Sequence, residues 1–229
     1  MDEREPTPGA PLLQLRLAEV AVVFVGVNEI GVFTPEELRG GGVIVPPDAE
    51  MTELISVPEQ IVRYGYASSY FVEAEGQRRQ IKVVYPEDLD TTEIPLRIAD
   101  SLGRAPQNFV ELCAKHNVQL RTLGINLQLI AKANPDLLDR HLDLNLKGRQ
   151  ASATSIGFTT SLAPFDVKFA FTVVRHKVSQ EPAVLVASNY SIALEPESYG
   201  QTDSMIAALD RLALCVNDAL EVIDAVLGS

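Results

Sequence analysis

The strongest periodicity in the chain is its last stretch, Asp203 to Leu227. Apolar residues fall at Met205, Leu209, Leu212, Val216, Ala219, Ile223 and Val226, in alternating steps of four and three. Those steps line up on one face of a helix, which Asp203 or Thr202 can cap and Gly228 can end. Read as heptads, the positions flanking the seam (Ile206, Ala213, Leu220, Leu227, and Ala208, Cys215, Val222) are apolar as well. A two-stranded coiled coil places charges there. So wide an apolar face suits a sheet, and the expectation is one continuous helix of roughly 37 Å packed across it as core.

Upstream the pattern is mostly that of strands. Leu15 to Val27 is dense in Val, Leu and Phe, and its centre, Val20 to Val27, reads as a buried strand. Ile61 to Glu75 reads as one strand, turned by Gly76-Gln77 into a second over Arg79 to Tyr85. Helices are expected over Ile94 to Leu102 and Pro106 to His116, with Phe109, Leu112 and Cys113 on one side. A long strand follows over Val118 to Ala131, where Leu123, Ile125, Leu127 and Leu129 alternate with Gly124, Asn126 and Gln128. After Asn134-Pro135-Asp136, Leu137 to Arg140 reads as a helical turn. Leu142, Leu144 and Leu146 then read as a short half-buried strand. Ser155 to Leu162, Phe165 to Val173 and Ala183 to Leu194 alternate again, with bends at Ala163-Pro164 and Ser179 to Pro182.

From Asn28 to Val57 the signals weaken. Thr34-Pro35-Glu36-Glu37 has the composition of a helical start, Gly40-Gly41-Gly42 and Pro46-Pro47 break the chain, and Val43 to Val45 is a short strand candidate.

The fold class expected is therefore α+β: antiparallel sheet with long strands, packed against a long C-terminal amphipathic helix. Residues 1–14 are expected to be a disordered leader and 15–229 a single compact unit. Two arrangements fit: two similar strand-hairpin-helix halves, 15–116 and 118–229, or one continuous sheet curling around the last helix. Short connections make neighbouring strands antiparallel in both.

Composition narrows the function classes. With 46% hydrophobic and 22% charged residues the chain has ample material for a core. A net charge of −12 counts against nucleic acid as a partner, since phosphates are held by clustered Lys and Arg. The acidic, proline-containing start has no basic or apolar region of a signal peptide, and no apolar run reaches the ~20 residues of a membrane span. The expectation is a cytoplasmic protein with no membrane partner. Cys113 and Cys215 sit among apolar residues, as packed thiols rather than a disulfide or zinc framework.

Candidate chemistry is sparse. Arg140-His141-Leu142-Asp143 has the wrong order for a kinase catalytic loop, though as a strand it puts His141 and Asp143 on one face. His116 follows a helix, where it complements the C-terminal dipole. His176 lies between Arg175 and Lys177, a basic spot that fits a guarded strand edge better than an anion site. Arg39-Gly40-Gly41-Gly42 lacks the Gly-Lys-Ser/Thr of a phosphate loop, and Glu36/Glu37 and Glu73/Glu75 are ordinary in an acidic chain. No catalytic, metal-binding or cofactor-binding residue is assigned, and no cofactor is expected.

The leading expectation is a non-catalytic protein-interaction module that self-associates or binds a protein partner through strand edges. The alternative is a helix-grip-like carrier of a small apolar ligand, held between the sheet and the last helix. An enzyme is the third reading, sited at the Arg39–Pro47 loop together with His141 and Asp143.

Overall fold

A computed structural model describes residues 14–27, 33–57, 61–86, 91–132, 155–175, 182–199 and 202–228. Its elements, in chain order, are β1 (Gln14–Gly26), α1 (Pro35–Gly40), β2 (Met51–Val57), β3 (Ile61–Tyr66), β4 (Tyr70–Glu75), β5 (Arg78–Val84), α2 (Ile94–Leu102), α3 (Ala105–Lys115), β6 (Leu120–Lys132), β7 (Ser155–Leu162), β8 (Phe165–Arg175), β9 (Pro182–Ala193), α4 (Thr202–Leu209) and α5 (Leu212–Leu227). The strands form one nine-stranded sheet in the order β2-β3-β4-β5-β1-β6-β9-β8-β7. Every neighbouring pair is antiparallel. The class is α+β, with the C-terminal helix packed against an antiparallel sheet.

The order reads alike outward from its centre. From the β1–β6 pair, one side runs β1-β5-β4-β3 and the other β6-β9-β8-β7. In each half the last strand returns beside the first, and two helices follow. A continuous sheet and two similar halves therefore coexist, with β2 the one described strand that has no counterpart on the far side.

Alternation explains the burial. On β6, Leu123, Ile125, Leu127, Leu129 and Ala131 are at most 1% exposed, while Thr122, Asn126, Gln128 and Ile130 are half-buried on the opposite face. Leu17, Val20, Val22 and Phe24 of β1 continue the buried face, as do Val184, Val186 and Tyr190 of β9. The helices cover that face. Phe109 of α3 packs on Phe24 of β1 with the rings tilted and their centroids 4.9 Å apart, and Tyr190 of β9 donates to Asp218 of α5 at 2.8 Å. Across the layer, α3 lies against α4 and α2 against α5.

Three expectations are corrected. The last helix is not continuous: it breaks at Asp210-Arg211 into α4 and α5. There the Arg211 amide bonds Ala208 O, three residues back, at 3.1 Å, and its guanidinium donates to Ala163 O at 2.7 Å. Neither residue is a helix breaker. The joint lets α4 meet α3 while α5 meets the sheet and α2, the same division that Gly103-Arg104 makes between α2 and α3. Next, Ile61 to Glu75 is a hairpin, turned at Ala67 (φ 49°) and Ser68 (φ 61°). Left-handed φ at both central residues is the tight hairpin geometry that usually announces itself with Asn or Gly, and here it does not. Finally, Val43 to Val45 is not a strand; Val43 and Ile44 are core residues of an irregular segment, and the strand of this region is β2. The expected elements at Leu137 to Arg140 and Leu142 to Leu146 lie outside the described residues.

Candidate interaction edge

Strand β2 ends the sheet on one side and is exposed along almost its whole length, with Glu53 alone half-buried. Met51, Leu54, Ile55 and Val57 are 46%, 57%, 39% and 38% exposed, four of the large apolar side chains left most open among the described residues. Leu54 pairs with Tyr64 on the helix side, and Ile55 with Arg63 and Val57 with Ile61 on the open face. The bulge between Met51 and Glu53 leaves Glu53 to Val57 as the regular stretch. Natural edge strands are commonly blunted by lysine, proline or inward-pointing charge. Met-Thr-Glu-Leu-Ile-Ser-Val itself holds no lysine or proline; what blunts it is the bulge at its start, Pro58 directly after it in sequence, and one charge, Glu53, which lies 3.5 Å from Arg63.

The strands behind this edge are locked by a charge network on the open face. Glu73 of β4 is only 6% exposed. Arg63 Nε forms an ion pair with Glu73 Oε1 at 2.6 Å. Lys82 Nζ lies 3.1 Å from the same oxygen, and Gln80 Nε2 donates to the other. Both cations also sit over the Phe71 ring, at 5.6 and 5.5 Å from its centroid. Burial pushes the Glu73 carboxyl up, but the hydrogen bonds from Gln80 and Lys82 and the charges of Lys82 and Arg63 outweigh it, and the net shift is downward. The network ties β3, β4 and β5 together behind β2.

The glycine loop beside this edge is committed to structure. Arg39 donates to Ala49 O at 2.9 Å and to Pro47 O, so its guanidinium clamps the loop. The amides of Gly41 and Gly42 bond Glu37 O and Arg39 O within α1. Gly42 has φ +68°, and a Cβ there would lie 2.8 Å from Asn108 Nδ2, whose own donor bonds Gly42 O at 2.7 Å. Gly42→Ala is accordingly expected to destabilise the protein by about 1–3 kcal/mol, from left-handed strain and displacement of Asn108. Urea denaturation of the variant beside the parent measures this.

The other sequence candidates are scattered. His116 Nε2 stands 4.0 Å from Glu37 Oε1, with its ring edge-on to Phe33 at 5.2 Å. Glu37 itself closes the α1 capping box with Thr34, and its backbone partnership with Thr34 is the main reason its carboxyl is held below the ordinary value. Cys113 and Cys215 are unbonded and fully buried, and burial pushes both thiols up to about 12. His141, Asp143, His176 and Lys177 lie outside the described residues. Among the described residues no group of three His, Cys, Asp or Glu side chains is placed to hold a metal.

A shallow recess with a cavity volume of only about 10 Å³ lies between β3-β4 and the α1 and α3 helices, lined by Phe33, Leu38, Val62, Tyr64, Val72 and Phe109 among others. On α5, by contrast, Cys215, Val216, Ala219, Ile223 and Leu227 are at most 3% exposed. No described helix is long and apolar enough to cross a membrane.

Neither β2 nor Glu73 is singled out by the sequence pattern. β2 is open on both faces, so it lacks the alternation that marks a half-buried strand. Glu73 looks like any surface carboxylate until the pairing of β3, β4 and β5 places Arg63, Gln80 and Lys82 around it. Compared with protein-family models the chain matches none, and compared with curated proteins it finds no match.

Proposed function

We propose that the protein is a non-catalytic association module that presents strand β2 to another polypeptide. The observation that carries this reading is an apolar sheet edge: Met51, Leu54, Ile55 and Val57 stand open on a strand whose outer hydrogen-bonding groups have no neighbouring strand among the described residues. An incoming strand would pair those groups and cover side chains on both faces, which is how extended segments add to sheet edges. The charge network that ties β3, β4 and β5 together behind β2 supports the same reading, since an edge ordered before binding costs less entropy on association. Two buried, unbonded thiols agree with work in a reducing compartment, and we place it in the cytoplasm.

The test compares the full-length protein with Leu54→Lys/Ile55→Lys, measuring mass by light scattering and bound protein by pull-down. The expected result is an assembly or a captured partner that the double variant loses while its circular dichroism is unchanged. A monomer without a partner, or binding unaffected by the double variant, would overturn the proposal.

A further inference from the structure

We infer that the edge is self-complementary and that its occupant is β2 of a second copy, paired antiparallel about a two-fold axis through Ile55. This rests on the reading of the protein as an association module and commits it to one partner. The argument is one of register and charge. A two-fold axis perpendicular to the sheet leaves both helix layers on the same side, so opposed residues must come from the same face of the strand. Within the regular stretch, Glu53, Ile55 and Val57 share the open face, and Leu54 and Ser56 the helix side.

An axis at Ile55 sets Ile55 against Ile55, Glu53 against Val57 and Leu54 against Ser56. No like charges then stand opposite one another. Each Glu53 also keeps Arg63 of its own chain at 3.5 Å. An axis at Glu53 opposes two carboxylates, and one at Leu54 draws the bulged Thr52 into the ladder. In a chain of net charge −12, this is a surface where a second copy meets apolar side chains and a single, already paired carboxylate. The contact is closed, because an isologous pair uses up the edge and grows no further. One strand pair buries less than a standard interface, so a dissociation constant on the order of micromolar is expected.

The experiment uses the full-length chain, whose own thiols are buried. Light scattering at roughly 100 μM, well above that constant, is expected to give twice the 24.9 kDa of one chain. Ile55→Lys should raise the dissociation constant at least about tenfold by opposing two ammonium groups on the axis. Under mild oxidation Ile55→Cys should cross-link to itself. Glu53→Cys and Val57→Cys should do so only when mixed, since opposed strand positions lie within disulfide reach. A dimer that survives Ile55→Lys and forms none of these cross-links overturns the inference but leaves association standing. So does a monomer whose captured partner depends on β2. A filament rather than a dimer overturns it as well, because a growing assembly needs two different edges.

Discussion

Phe109→Ala is expected to cost about 3–5 kcal/mol, the range for emptying a buried aromatic site. Phe109 is 1% exposed, and it joins the two layers rather than filling one of them. Its ring lies 4.9 Å from Phe24 on the central strand β1 and meets Phe33 edge-on at 5.7 Å, just ahead of α1. Truncation leaves a cavity that the sheet cannot collapse into, because β1 is held on both sides by β5 and β6. For a chain of 229 residues this corresponds to a fall in Tm of roughly 10 °C. Leu96→Ala, at a position 64% exposed, should stay within about 0.5 kcal/mol. Thermal unfolding followed by circular dichroism compares the two. Equal shifts would show that the α3 contact does not anchor the helix layer.

Glu73→Gln is the second large effect, and it depends on pH. The amide keeps the shape but withdraws the charge that Arg63 and Lys82 face at 2.6 and 3.1 Å. A loss of about 2 kcal/mol is expected at neutral pH, as for a hydrogen-bonded charged group removed from a buried site. The folded carboxyl titrates below its ordinary value of 4.5. Its contribution is therefore complete above the unfolded pKa and is lost as pH falls through the folded one. Urea unfolding of parent and variant should give curves that differ at pH 7 and converge in acid, once the parent carboxyl is protonated. A gap of constant size from pH 7 into acid would mean that shape, not charge, gives Glu73 its role.

Legibility from sequence followed how local each feature is. The strand Phe165–Arg175 and the helix Ile94–Leu102 are readable, because alternation or a three-and-four spacing states directly which face is buried; Ser155–Leu162 is readable as a strand but not by its face, since it has no fully buried residue and Phe158 is 37% exposed. The hairpin inside Ile61 to Glu75 was not, since Ala67 and Ser68 carry no turn signature and take left-handed φ only because β3 and β4 pair around them. The proposed interaction edge is legible only in kind. Long strands imply edges somewhere, but nothing local says that Met51–Val57 is one of the two strands left outermost.

By itself the sequence determined the α+β class, the inward faces of the long strands and the apolar seam of Asp203 to Leu227. These follow from side-chain period and hydrophobicity, which act over a few residues. Tertiary structure alone decided that Gln14–Gly26 and Leu120–Lys132 meet at the centre of one sheet and that the last helix divides at Arg211. It also decided that Glu73 is buried among cations and that β2 stands open at the rim. Those outcomes depend on which distant segments become neighbours. The free energy of such pairing belongs to the contact between them, and neither segment carries it alone.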